Sequence, residues 1–478
     1  MNKKVASGLF WKLLENGGSQ AVQFVVSVIL ARLLSPREYT VIAIIMIFTT
    51  IANVLVQNGF ATALIQRKDA DGVDFSSVFF LNLFSSLVVY IFMFLLSPVI
   101  ARFYHQPQMV KIFRGMSVIV FPGAIISVQN AYVAKKMEFR SLFISTLFAA
   151  IFSGGVSIFM AMKGMGVWAL VWQQIVYYVV LMMVLFVTID WLPSFVCDFE
   201  RLGEMFQFGW KLLCASLIDT IFNNLQGLVM GRVYSDDVLG NYNRGEQFPK
   251  LIVTNLGAAM QSVLLPVMAE KQDERLRVKS MLRKSITLSS YIVLPMMAGM
   301  AAVADTLIAV LLGPKWSGSV IFLQLMCASY AFWPIHIANL QALNAVGKSD
   351  MFLKLEIIKK ALSLVVLVIG ISYGAVALIA LKAVADFLCT FINAWPNKKI
   401  LHYSIWEQWR DIMSSVVISL LMGMAVYASG RIFSFGVIRL GIQIFVGIVV
   451  YILLSMWTKN ESFLLLVETM RKGKGSSE

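Results

Sequence analysis

"FWKLL" at Phe10–Leu14 returns as "GWKLL" at Gly209–Leu213, so that Trp11-Lys12-Leu13-Leu14 recurs as Trp210-Lys211-Leu212-Leu213 199 residues later. A chance match would leave the following residues unrelated. Instead Ala31-Arg32-Leu33-Leu34-Ser35 is answered by Gly231-Arg232-Val233-Tyr234-Ser235 at an offset of 200. "GFATALI" (Gly59–Ile65) faces "AMQSVLL" (Ala259–Leu265) at the same offset. Three echoes at one spacing read as an internal duplication. Each half opens with a lysine set at the head of an apolar stretch.

What is duplicated follows from composition. The chain of 478 residues is 59% hydrophobic and 14% charged, whereas a soluble surface needs charged residues at roughly a quarter of positions. The charges are also gathered into short clusters. Uncharged runs between them include Val41–Gln66, Ser76–Ala101, Gly115–Ala134, Ser141–Met162 and Gly164–Ile189. In the second half they include Leu251–Ala269, Ser285–Ala304, Trp316–Gly347, Ala361–Leu381, Ile412–Gly430 and Leu440–Thr458. At about 1.5 Å per residue such runs cross a hydrocarbon layer of about 30 Å. An all-α polytopic membrane protein is expected, with fourteen spans in a six-plus-six-plus-two order. The expected domains are a six-helix lobe over 1–189, a polar linker over 190–206, a second six-helix lobe over 207–397, and two further helices with a basic tail over 398–478. The start "MNKKVASGLFWK" is positive but lacks a short apolar core with a small-residue cleavage site, so it reads as an uncleaved first helix.

Orientation follows from the basic residues. Of the 40 Lys and Arg, 25 fall in connections on the side of the N-terminus and 12 on the opposite side. Both termini are therefore expected in the cytoplasm. Six spans per half is an even number, so the halves enter the membrane in the same direction, as a parallel repeat about an axis along the membrane normal. The net charge of +14 reflects this topology and attraction to anionic headgroups, not nucleic acid. Cys197, Cys214, Cys327 and Cys389 show no CxxC spacing and read as buried small hydrophobes. His105, His336 and His402 are scattered and suggest no metal site.

Charges inside spans are costly and face a cavity or a partner. Lys12 and Glu15 share one helical face; Lys211 is followed by Asp219, Asn223, Asn224 and Gln226; Lys382 and Asp386 form an i,i+4 pair. One reading makes Lys12, Lys211, Arg244 and Lys382 the cationic wall of a cavity for a phosphate or pyrophosphate group. Glu15, Asp219 and Asp386 would be their counter-charges, or would bind H⁺ or Na⁺ as a coupling ion. The other reading has Lys12 and Lys211 reaching to headgroups and Lys382–Asp386 neutralising itself within a packed helix. Pro122, Pro266, Pro295 and Pro334 lie inside spans, where each permits bending or is a tolerated kink.

"NGFATALIQRKD" (Asn58–Asp69), "LGNYNRGEQF" (Leu239–Phe248), "LLPVMAEKQDERLR" (Leu264–Arg277) and "LPMMAGMAAVADTLIAVLLGPKW" (Leu294–Trp316) resemble the polysaccharide transporter branch of the MOP flippase superfamily. The resemblance is to Wzx-type lipid-linked oligosaccharide flippases, the colanic and teichuronic acid exporter group above all. It implies a MOP/MATE-like, V-shaped pair of parallel six-helix lobes working by alternating access. It also implies an undecaprenyl-pyrophosphate-linked oligosaccharide as cargo, carried across a bacterial cytoplasmic membrane for O-antigen, capsule or exopolysaccharide. The expected partners are that substrate, membrane lipids, and the polymerase and glycosyltransferases of the same pathway. A multidrug/cation antiporter of the same superfamily is the alternative, but it wants deep carboxylates in the first lobe, where Glu15 stands alone within a span. A glycan polymerase or ligase would need a sizeable outer loop with acid–base groups. The longest hydrophilic stretch, Glu270–Lys284, lies instead on the inner side, so the expectation is a carrier without cofactor, not an enzyme.

Overall fold

The computed structural model describes residues 3–67, 69–432, 436–466 and 468. Among these the chain is helical, and its contacts divide it into two units, Met1–Gly240 and Asn241–Glu478.

The first unit holds α1 (Lys3–Leu33), α2 (Pro36–Gln66), α3 (Gly72–Phe103), α4 (Met109–Ser117), α5 (Val120–Lys136), α6 (Phe139–Met162), α7 (Val167–Thr188) and α8 (Phe199–Val233). Local chemistry sets the starts. Ser35 and Glu38 form a capping box with Pro36 in the first turn of α2, satisfying amides that have no partner inside the helix. Asp71 accepts from the amides of Val73 and Asp74 at the head of α3, and Asp198 does the same for Glu200 and Arg201 at the head of α8. The tight turn between α6 and α7 uses Gly164 and Gly166 at φ 75° and 56°, a region that costs glycine little. Phe75, Phe79, Tyr132 and Trp191 pack ring against ring between α3, α5 and the segment after α7.

Helix α8 runs along α2 within this unit. Phe60 stacks on Phe206 at 6.2 Å, and at the other end the Tyr104 hydroxyl donates to the Leu228 carbonyl at 3.2 Å. Near the head of α8, Arg201 bridges Asp71 at 3.1 Å and the fully buried Asp74 at 3.4 Å, while Arg67 pairs with Glu204 at 3.1 Å. The Asp74 amide first, and Arg201 next, hold the Asp71 carboxyl below its ordinary value. A carboxyl lowered in the folded state stabilises above its unfolded value and loses that contribution as pH falls through the folded one. Arg201→Gln should therefore lower the thermal unfolding midpoint in detergent near neutral pH, with the gap to wild type closing as pH falls below about 4.

The second unit contains most of α9 (Asp236–Glu270), then α10 (Arg275–Ala302), α11 (Ala304–Leu311), α12 (Ser319–Tyr330), α13 (Trp333–Ala345), α14 (Ser349–Gly370), α15 (Ala375–Ile400), α16 (Ile405–Ser429) and α17 (Gly436–Trp457). The duplication is visible in the helices. α1 and α8 end at Leu33 and Val233, and α2 and α9 begin at Pro36 and Asp236, both at the offset of 200. One span in each half is broken in two, α4–α5 in the first and α12–α13 in the second. Pro122 and Pro334 both fall in the first turn after these breaks, where no helical hydrogen bond is lost. Pro266 and Pro295 do lie inside helices, as do Pro98, Pro249 and Pro396.

Twelve helical segments among the described residues are long and apolar enough to cross a membrane. Helix α1, with a shorter apolar part at Gly17–Leu33, and α14, carrying Lys354, Glu356, Lys359 and Lys360, bring the membrane-length segments to fourteen. Two expected boundaries move. The uncharged run Ala361–Leu381 is no span: α14 ends at Gly370, and Gly374 at φ 95° turns the chain into α15. Charge spacing is blind to a turn built from Gly, Ile, Ser and Tyr. The Glu270–Lys284 stretch is mostly the opening of α10, with Val278 and Leu282 fully buried. Its basic side chains fasten neighbouring helix ends: Arg275 donates to the Ile400 carbonyl at 3.0 Å, and Arg283 reaches Asp411 at 3.0 Å and Glu461 at 2.8 Å.

Candidate functional site

Helix α8 carries the first set of polar groups. Not one residue in its apolar window is buried. Lys211, Asp219 and Asn223 are all exposed, and their spacing of eight and four places them near one face. Asn223 donates to Asp219 at 2.8 Å. Polar side chains exposed along a membrane-length helix require water rather than lipid on that face, so the stripe marks a wet surface. Lys12 and Glu15 lie within α1, but their side chains fall outside the described residues.

The second set is a connected cluster inside the second unit. Lys382 on α15 reaches Asp386 one turn on at 2.5 Å and the Ser329 hydroxyl of α12 at 3.2 Å. Ser329 in turn donates to Asp386. Tyr330, the next residue of α12, is buried, has Lys382 over its ring at 5.8 Å, and donates its hydroxyl to Glu246 of α9 at 2.8 Å. Glu246 also pairs with Lys250 at 3.5 Å. Two Lys–carboxylate pairs thus stand on either side of Tyr330. Below them Trp333 packs on Tyr330, and the buried His336 shares a hydrogen bond with Asn393 at 2.9 Å. Lys382 and Asp386 keep 26% and 29% of their side-chain surface open, enough for a ligand or water to reach both.

Gly245 sets the spacing of this cluster. A Cβ there would stand 2.7 Å from the Leu323 amide nitrogen and 2.9 Å from the Ser319 carbonyl oxygen, both backbone atoms of α12 that cannot swing aside. Gly245→Val should push α9 away from α12 and lower stability by about 1–3 kcal/mol. A lower midpoint of thermal unfolding in detergent would register the change.

Sequence reasoning found one of the two ion pairs of this cluster. Lys382 and Asp386, spaced i,i+4 in the sequence, are in contact in the structure. Arg244 takes a different place: it is buried, lies over the Trp316 ring at 5.6 Å and bonds to Gln247. Glu246, Lys250, Ser329 and Tyr330 were missed. Arg244 and Lys250 count as outer-connection charges when the span is drawn as Leu251–Ala269, yet α9 begins fifteen residues earlier at Asp236. The signal was present, because Glu246 and Lys250 repeat the i,i+4 acid–base spacing of Lys382 and Asp386.

Residues 29–321 match the family described as polysaccharide biosynthesis protein. The chain belongs to that family. It is similar to the teichuronic acid biosynthesis protein TuaB of Bacillus subtilis (strain 168), with 24% identity over 99% of both chains. Among solved structures it resembles the lipid II flippase MurJ in an inward closed conformation, at a TM-score of 0.75 and 14% identity, over 94% of this chain and 99% of that one. It also resembles an inward-facing multidrug resistance MATE family transporter of the MOP superfamily, at a TM-score of 0.57 and 14% identity, over 80% and 95%. The fold is like that of these two structures, and the chain is a multi-pass membrane protein.

Proposed function

We propose that this protein moves an undecaprenyl-pyrophosphate-linked oligosaccharide from the inner to the outer leaflet of a bacterial cytoplasmic membrane, supplying O-antigen, capsule or exopolysaccharide synthesis. The observation that carries this reading is a flippase-like fold over 94% of a chain whose family is that of polysaccharide biosynthesis. Movement would be by alternating access of the two repeated lobes, 1–189 and 207–397, joined by 190–206. Lys12, Lys211, Arg244 and Lys382 are the candidate cations for the pyrophosphate, with Glu15, Asp219 and Asp386 as counter-charges. The open polar stripe on α8 supports a wet passage suited to sugars, which a lipid-facing helix would not tolerate. The polymerase and glycosyltransferases of the pathway are the fitting partners.

Deleting the gene in its own host should leave the lipid-linked oligosaccharide built but trapped inside, and expression of this chain should restore surface glycan. Normal surface glycan in the deletion strain would overturn the reading. The positive-inside imbalance supports a cytoplasmic position for both termini. Ser280 is exposed on α10, so Ser280→Cys, in a background without the native cysteines, should resist a membrane-impermeant thiol reagent in intact cells. Ready labelling would invert the topology.

A further inference from the structure

The join between α7 and α8, over 190–198, is polar by charge count but apolar on its outer side. Trp191 is buried, and the amides of Ser194 and Asp198 donate to the Ser76 and Ser77 hydroxyls of α3 at 3.0 and 2.9 Å. These bonds strap the join along the opening turns of α3 and leave the side chains between them facing outward. Leu192, Phe195 and Phe199 are 71%, 96% and 80% exposed, and Val196 is exposed beside them. All four lie between the membrane-length segments Val167–Thr188 and Gly209–Val233. An apolar cluster this open marks an interaction surface. We propose that the join is inserted into the edge of the lipid leaflet, with Leu192, Phe195, Val196 and Phe199 lying among the upper acyl chains.

Depth identifies lipid as the partner. The Phe195 ring stacks on Phe80 of α3 at 5.7 Å. Helix α3 has 32 residues, about 48 Å at 1.5 Å per residue, so a hydrocarbon layer of about 30 Å centred on it leaves about 9 Å of helix beyond each face. Phe80 stands about 12 Å along the helix from Gly72. Phe195 therefore meets α3 just inside the apolar layer. There it continues the lipid-facing side of that helix, because Phe84, Leu87, Ile91 and Leu95 follow Phe80 at helical spacing and all are exposed. Charge points the same way. Between Asp190 and Glu204 the chain carries Asp190, Asp198, Glu200 and Glu204 against Arg201 alone, so attraction to anionic headgroups does not hold the join in place. A basic protein partner would suit the carboxylates but not rings at hydrocarbon depth. The lipid edge then fixes the head of α8, which begins at Phe199. None of this depends on what the protein carries.

The test uses a fluorescent NBD label on Cys197, which is exposed within the join. Cys327 and Cys389 are buried and Cys214 is exposed, so Cys214→Ser leaves one reactive thiol. The full chain is labelled and placed in phosphatidylcholine nanodiscs. Lipid carrying a nitroxide high on its acyl chain should quench the label strongly, and aqueous iodide should quench it several-fold less than it quenches NBD-labelled glutathione. Phe195→Asp with Phe199→Asp should reverse that order, because a charged side chain is costly below the headgroups. Full iodide quenching without nitroxide quenching would place the join in water and overturn the proposal. Protection from both quenchers would mean that protein covers the join, and would overturn it as well. The labelled chain that keeps both phenylalanines decides between these outcomes, so the result does not hang on the folding of the aspartate variant. Unchanged quenching in a folded aspartate variant would overturn the assignment to these two rings.

Discussion

Glutamine at both Lys12 and Lys211 should nearly stop glycan export while the protein still inserts at its normal level. The two lysines recur in register at the heads of the helices that lead each half, and Lys211 stands exposed on the polar stripe of α8. Among the described residues no carboxylate pairs with Lys211, whereas Lys382 is held by Asp386 at 2.5 Å. A pyrophosphate carries more than one negative charge, so under the proposed function the two lysines would share it. Each lost charge-assisted hydrogen bond costs about 1.5–3 kcal/mol, roughly ten- to a hundred-fold in binding. The single variants should therefore impair export, and the double variant should do so far more severely. Arginine should rescue partly, since the charge persists while its geometry changes. Surface glycan and the trapped lipid-linked precursor, both normalised to protein level, are the readouts. Native export by the double glutamine variant would make both lysines headgroup anchors.

The duplication and the span count were legible because both are written in one-dimensional quantities. A repeat offset survives in the sequence wherever a few residues such as Trp11-Lys12-Leu13-Leu14 persist, and the membrane forbids charge over long stretches. What was not legible is what charge spacing cannot mark. The Gly370–Gly374 turn is as uncharged as the helices it joins. Helix α9 carries its polar residues through fifteen positions before its uncharged run, so Lys250 looked like part of a connection. The cluster around Tyr330 was hidden for a different reason: it is assembled from α9, α12 and α15, and a tyrosine on α12 becomes the bridge between two ion pairs only when those helices pack together. Within one helix, as for Lys382 and Asp386, spacing is enough to name the pair; between helices it is not.

Asn339→Leu should be the most damaging single change in the second unit outside its charged cluster. Asn339, Asn397 and Gln408 are almost wholly buried, and their amides hydrogen-bond to one another. Asn339 and Gln408 exchange hydrogen bonds at 2.9 and 3.1 Å, and Asn397 donates to the Asn339 side-chain oxygen at 2.7 Å. These contacts tie α16 to α13 and α15. Leucine fills a similar volume but answers no hydrogen bond, leaving the Gln408 amide and a donor of Asn397 stranded where no water reaches. Each orphan costs about 1–3 kcal/mol, tempered because the membrane-unfolded chain also finds partners. A loss of roughly 2–4 kcal/mol follows, visible as a lower unfolding midpoint in detergent. Asn339→Leu with Gln408→Leu should recover part of that loss, because removing both members of the amide pair leaves fewer unanswered groups than removing one. If the single variant unfolds at the native midpoint, the amide cluster does not hold α16 in place, and the apolar contacts of α16 with α10 carry the attachment instead.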